Sequence, residues 1–162
     1  MAVEIERKFL IHAQYLDDLI SRADTSIDIR QGYIPTTDLT TVRVRVANES
    51  AFLTIKGVSR DGGLSRSEFE YEIPSADAHA MLDELCAEGR IEKTRYRLVH
   101  ADHTWEVDVF SGANAGLVVA EVELGDAKEE PVLPDWIASE VSGQVEYYNS
   151  ALADRPFSKW SE

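Results

Sequence analysis

Thr41-Val42-Arg43-Val44-Arg45-Val46 alternates valine with polar or basic side chains at every step. In a strand, successive side chains leave on opposite faces, so this stretch places two guanidinium groups on one side and three valines on the other. A helix would scatter both sets around its axis. The same period of two runs through most of the chain and predicts strands over residues 3–11, 26–35, 40–48, 51–59, 64–74, 90–100, 103–111 and 116–125. Asp61-Gly62-Gly63 is a turn signal between the fourth and fifth of these, and Ala101-Asp102 and residues 111–114 punctuate later hairpins.

Each polar face carries charge. Glu4, Glu6 and Lys8 share a face of the first strand, with Arg7 on the other side among Val3, Ile5, Phe9 and Ile11. Arg43 and Arg45, then Lys56, then Arg66, Glu68, Glu70 and Glu72 follow on the third, fourth and fifth strands. Lys93, Arg95 and Arg97, then Glu106 and Asp108, then Glu121 and Glu123 complete the series. Two arrangements accommodate these faces. A one-sided sheet would turn them to water. A closed barrel would turn them inward and leave the apolar set outside for helices to cover, and eight strands is a count at which a small barrel closes. Segregation of the charges favours closure, because carboxylates dominate the first, fifth, seventh and eighth strands and bases the third and sixth. The expected fold is therefore α+β, a closed eight-stranded antiparallel β-barrel with helices packed on its outer face, in one domain over residues 1–162. Helices are predicted over residues 12–22 and 75–88, the second with Ser75 as its N-cap and Gly89 at its end. The tail after Pro131 is expected to form short helical segments.

A lumen of this kind must stay wet or hold a ligand, since unpaired buried ions are costly. Bases alone would suit an anion, and carboxylates alone a cation. Both together suit a polyanion complexed with a divalent metal, because Arg and Lys match phosphate oxygens and hard carboxylate oxygens hold Mg²⁺.

The bulk numbers set limits on partners. The chain has 162 residues and a formal net charge of −14, which argues against nucleic acid and anionic membranes as partners. No apolar run approaches the roughly 20 residues that span a bilayer, and the N-terminus has no signal-peptide pattern, so a cytoplasmic protein, monomer or homodimer, is expected. The single cysteine, Cys86, excludes an internal disulfide; among Met81, Leu82 and Leu85 it reads as a core thiol. His100 and His103 read as surface residues of a hairpin tip, and residues 126–130 as a solvated acidic loop.

The ordered series Glu4-Ile5-Glu6-Arg7-Lys8, Gln31-Gly32-Tyr33, Arg43-Val44-Arg45, Leu53-Thr54-Ile55-Lys56-Gly57, Glu68 to Glu72, Lys93-Thr94-Arg95-Tyr96, Trp105-Glu106-Val107-Asp108 and Glu121-Val122-Glu123 resembles the CYTH superfamily, the triphosphate tunnel metalloenzymes. That superfamily includes class IV adenylyl cyclases, thiamine triphosphatases and inorganic tripolyphosphatases. The resemblance implies a tunnel open at both ends with a triphosphate lying along it. It implies Lys8, Arg43, Arg45, Lys56, Lys93 and Arg95 as phosphate ligands, with Glu70 and Asp108 as supporting carboxylates. Glu4, Glu6, Glu121 and Glu123 would hold Mg²⁺ or Mn²⁺, and Glu4 and Glu6 would also serve the attacking water. Tyr33 shares the inward parity, which would let its hydroxyl reach Lys8. Family cyclases carry a His-Phe pair ahead of the first motif, where this chain has Met1-Ala2-Val3, and Trp105 falls on the outward parity. The expected activity is therefore hydrolysis of inorganic triphosphate, with thiamine or nucleoside triphosphate as alternatives and a non-catalytic triphosphate sensor as the reading from another class. Lys159 has no place in the motif series, though it is near enough the end of the chain to lie over a tunnel mouth.

Overall fold

The computed structural model describes residues 2–161. Among them nine strands form one antiparallel sheet: β1 (Ala2–Ile11), β2 (Thr25–Ile34), β3 (Thr41–Ala47), β4 (Ser50–Lys56), β5 (Ser65–Ile73), β6 (Ile91–His100), β7 (His103–Phe110), β8 (Val118–Glu123) and β9 (Ile137–Glu140). Neighbours follow the order β5-β4-β3-β2-β6-β7-β8-β1, and β1 closes the ring by pairing Glu4 with Arg66 of β5. The eight expected strands are all present, and they make the expected closed barrel.

The register carries the parity. Lys8 lies opposite Glu121, Arg95 opposite Asp108, Arg45 opposite Gln31, Arg43 opposite Thr54 and Lys56 opposite Glu68. A slip of one residue on any strand would have exchanged its charged and apolar faces. Left-handed backbone at Asp61, Gly62 and Gly63 turns the chain between β4 and β5, as the sequence predicts.

The outward set forms two cores. Trp105 is fully buried between Phe9 and Trp136, with ring centroids 5.6 and 5.7 Å away, beneath Leu19 of α1 (Leu16–Arg22). On the opposite wall, Ala78 and Leu82 of α2 (Ser75–Glu84) pack on Val44, Val46 and Ala51. Pro74, not the expected Ser75, occupies the cap position, and Ser75 is the first helical residue. The helix also ends four residues before the expected Glu88, and the Arg90 guanidinium donates to the carbonyls of Leu82 and Ala87 there. Cys86 is half-buried at the rim of this second core rather than within it. Phe69 and Tyr71 of β5 are left uncovered on the outer face.

The tail departs from expectation. Ile137–Glu140 is a strand, and β9 takes the stretch of the β1 edge that β5 leaves free, pairing with Phe9 and Ile11. Arg7, outward as expected, binds Glu140 across this seam at 2.7 and 2.9 Å. Beyond it, α3 (Asn149–Asp154) covers one end of the barrel instead of lying on its wall. There the inward parity turns apolar. Ile91, Phe110 and Val119 pack with Leu117 and with Leu152 of α3, and Leu10, Tyr33 and Tyr147 fill in around them. The expected opening at both ends is thus corrected: this end is filled by apolar side chains, because burying α3 against them removes apolar surface from water. Gly63 and Gly143, both with positive φ, let two loops meet at a separation no Cβ would permit, which brings the tail against the β4–β5 turn.

Candidate active site

The remaining lumen is a cavity of about 250 Å³. Twelve of the residues singled out in the sequence line it: Glu4, Glu6, Lys8, Tyr33, Arg43, Arg45, Lys56, Glu70, Lys93, Arg95, Glu121 and Glu123. Asp108 is the exception. It is 1% exposed and stands behind the basic wall, where it accepts from Lys93 Nζ at 2.7 Å and from Arg95 Nε and Nη2 at 2.8 and 2.9 Å. It therefore supports two lumen cations and does not face the cavity.

The basic wall comes from β3, β4 and β6. Arg45 Nε donates to Gln31 Oε1 at 2.7 Å. Arg43 Nη2 donates to Thr54 Oγ1 and Glu70 Oε2 at 3.2 and 3.4 Å, so Glu70 is an ion-pair partner of a lumen arginine. Arg43 Nε is buried without an acceptor among the described residues. Crowding of like charges shows in the acid–base behaviour. Burial, with Arg43 and Arg95 nearby, lowers Arg45 to about 9. Burial outweighs Asp108 at Lys93 and, with Arg95 and Arg45 adding to it, lowers that ammonium to about 7. Both groups gain if an anion enters.

The acidic wall comes from β1 and β8, and its four carboxylates are not equivalent. Glu4 receives Lys56 Nζ at 2.9 and 3.1 Å and lies 3.5 Å from Arg66. Burial alone would raise Glu4, but Lys56, a hydrogen bond with Glu68 and Arg66 bring it down to about 2. Glu121 lies 3.4 Å from Lys8 and 3.9 Å from Arg95, and against the effect of burial those cations and Lys93 hold it well below the usual carboxylate range. Glu6, opposite Glu123 in register, has no ion pair or side-chain hydrogen bond among the described residues. Burial, then the charges of Glu121 and Glu4, push its carboxyl up to about 8 against the pull of Lys8 and Lys56. Glu123 is exposed toward the mouth and is also raised, by burial and then by Glu4 and Glu106. Among the described residues no three His, Cys, Asp or Glu side chains form a ready-made metal cage.

Several contributors were not singled out. Arg66, Glu68, Arg97 and Glu106 line the cavity and share the parity already visible in their strands. Tyr148, Asn149 and Ser150 also line it, and nothing local in the tail marks them. The Tyr148 ring lies 5.4 Å from Lys8 Nζ and 5.7 Å from the Arg66 guanidinium. The Tyr33 hydroxyl accepts from Gln31 Nε2 at 3.1 Å instead of meeting Lys8, whose Nζ is directed at Glu121 and the Tyr147 carbonyl. Lys159 borders a separate cavity beyond α3 and not the lumen. At the hairpin tip His103 Nε2 is 2.7 Å from Glu129, so the acidic loop is tied to that tip. Among the described residues no helix is long and apolar enough to cross a membrane.

A closed barrel with a basic wall and a carboxylate wall facing one small cavity defines a holder of compact polyanions. The chain matches the CYTH domain over residues 2–154 and belongs to that family. It is 43% identical over 162 residues, the full length of both chains, to a protein of Acetivibrio thermocellus named inorganic triphosphatase. It is 38% identical over 154 residues to a second inorganic triphosphatase, from Nitrosomonas europaea, covering 93% of this chain and 96% of that one. The crystal structure of an inorganic triphosphatase has a TM-score of 0.61 and 32% identity to it, over 94% of this chain and 95% of its own.

Proposed function

We propose that this protein hydrolyses linear inorganic triphosphate with a divalent cation, Mg²⁺ or Mn²⁺, inside the barrel. The observation that carries the reading is the pairing of a crowded cationic wall with a carboxylate, Glu6, that has neighbouring anions and, among the described residues, no ion pair. The names of the two relatives support the choice of substrate.

The donor set fits a hard divalent ion. Of the four carboxylates on the acidic wall, Glu6 and Glu123 make no ion pair among the described residues and would hold it first, with Glu4 and Glu121 beside them. Such ions take one or two carboxylates and complete their shell with phosphate oxygens and water. When bound, such an ion neutralises charge on phosphoryl oxygens and acidifies water.

The chain's own groups supply the rest. Lys8, Arg43, Arg45, Lys56, Lys93 and Arg95 bind phosphoryl oxygens and hold the chain in line for attack. Burial raises the Tyr33 phenol, which stays protonated, and because its oxygen already accepts from Gln31, its proton is available to a phosphoryl oxygen. Water attacks the terminal phosphorus, the bond to the bridging oxygen breaks, and pyrophosphate leaves with its new charge on the basic wall. A carboxylate of the Glu4/Glu6 pair takes the proton from water.

Phosphate release from tripolyphosphate, ATP and thiamine triphosphate, each with and without Mg²⁺, tests this. Metal-dependent release from tripolyphosphate above the other two is expected. Tight binding of tripolyphosphate with no release from any compound would turn the reading to a sensor.

A further inference from the structure

We infer that Asn149, supplied by the tail, is a positioning residue that aims two of the lumen's phosphate-binding cations, Lys93 and Arg45. The inference rests on the proposed role of those cations.

Asn149 Oδ1 accepts from Lys93 Nζ at 2.9 Å and from Gln31 Nε2 at 3.2 Å. Gln31 is fully buried, and its Oε1 accepts from Arg45 Nε at 2.7 Å. Lys93 Nζ in turn donates to Asp108 at 2.7 Å, and Asp108 holds Arg95. The result is one relay, Arg45–Gln31–Asn149–Lys93–Asp108–Arg95, that crosses β3, β2, β6 and β7, with Arg45 and Asn149 half-buried and the other four buried. Asn149 alone among its members is not carried by a barrel strand.

Donor arithmetic gives the consequence. An ammonium has three N–H bonds. Asp108 and Asn149 take two, which leaves the third of Lys93 for the cavity. The Gln31 amide is oriented by Asn149 and Tyr33 on its nitrogen side, so its oxygen is fixed on Arg45 Nε. The terminal nitrogens of Arg45 then remain available to a phosphate. Without the Asn149 oxygen, Lys93 keeps Asp108 as its protein acceptor among the described residues, and the Gln31 amide nitrogen is held by the Tyr33 hydroxyl alone. A partly satisfied buried network loses its fixed geometry before it loses its fold.

The test is a double-mutant cycle over Asn149→Ala and Gln31→Ala, read by calorimetric Kd for tripolyphosphate with Mg²⁺, by kcat at saturation, and by Tm. Asn149→Ala is expected to weaken binding roughly tenfold, as loss of a hydrogen bond to a charged group does. Its kcat should stay within about threefold of wild type. The double variant should bind no worse than the weaker single one, since both break the same relay. Asn149→Ser, polar but too short to reach Lys93, gives the same Kd change if the alanine protein does not fold. An unchanged Kd, or single effects that multiply in the double variant, would overturn the inference. A wild-type protein that binds tripolyphosphate without hydrolysing it strikes the proposed reaction and leaves this cycle fully readable on Kd.

Discussion

Asp108 and Glu6 are both buried carboxylates of the same barrel, yet their surroundings drive them in opposite directions. Asp108, on the β6–β7 wall, receives three hydrogen bonds from Lys93 and Arg95, and those cations overcome burial to hold it at about 2. Glu6, on the β1–β8 wall, has Glu4 and Glu121 for neighbours and rises to about 8. One wall has its anion matched from within the chain. The other is short of positive charge. A buried ion without its partner is costly, so under the proposed function an external cation would be taken up at the second wall, while the first balances itself.

The largest effect should come from breaking the unmatched side. Glu6→Gln is expected to lower triphosphate turnover by roughly 100-fold or more, comparable to losing a group that acts only in the transition state. Its metal-free Tm should be equal to or above that of wild type, because a neutral amide ends the repulsion. Steady-state assays beside thermal melts check both halves, and full activity in a folded Glu6→Gln protein would remove the carboxylate from the mechanism.

On the matched side the pattern reverses. Asp108→Asn takes the paired anion from Lys93 and the nearest one from Arg95, which keeps Glu106 at 3.4 Å and Glu121 at 3.9 Å, and should cost about 3–5 kcal/mol of stability, the range for breaking a buried pair. Tripolyphosphate should restore part of that loss, since it replaces the missing charge. Denaturant melts with and without the anion measure this; a loss below about 1 kcal/mol would mean that the wall does not depend on Asp108.

Between the walls, Arg43→Ala and Arg45→Ala should each raise KM for tripolyphosphate about tenfold, as expected for removal of a charge-assisted contact. If both leave KM and rate unchanged, the anion does not lie where the lumen places it.

The smallest effect is one of pH. Glu6 is raised in the folded state above the ordinary 4.5, so its contribution to stability is fully present below about 4.5 and is lost as pH rises to about 8. Asp108, depressed from 3.8, contributes above that value and loses its contribution as pH falls toward about 2. Metal-free protein should therefore lose a few degrees of Tm between about pH 5 and 7, above which the loss of the Lys93 proton in the folded state opposes the trend. Glu6→Gln should flatten that slope, and Mg²⁺ should reverse it by favouring the ionised carboxylate. A slope unchanged in Glu6→Gln would assign the titration elsewhere, with Glu68, raised to about 7, the first candidate.

What the sequence made legible was whatever a two-residue period can encode. It separates Arg7 from Lys8, sends Trp105 outward, and brings twelve polar side chains to one cavity. It does not encode pairing between strands, so nothing in the alternation distinguishes Asp108, hidden behind its cations, from Glu6, facing open space. β9 was illegible because four residues are too few to establish a period. Tyr148 and Asn149 were illegible for a related reason: their role depends on where a distant tail comes to rest. The closed end of the lumen had a signal, since Ile91, Phe110 and Val119 share the parity of Lys93, Asp108 and Glu121. Reading it required knowing that these three lie at the same end of the barrel.

The most direct test of the account is anomalous diffraction from crystals grown with Mn²⁺ and tripolyphosphate. Manganese should appear beside Glu6 and Glu123, with phosphorus density running along Arg43, Arg45 and Lys93. Manganese bound only at the acidic exterior, with a lumen free of phosphate, would contradict it.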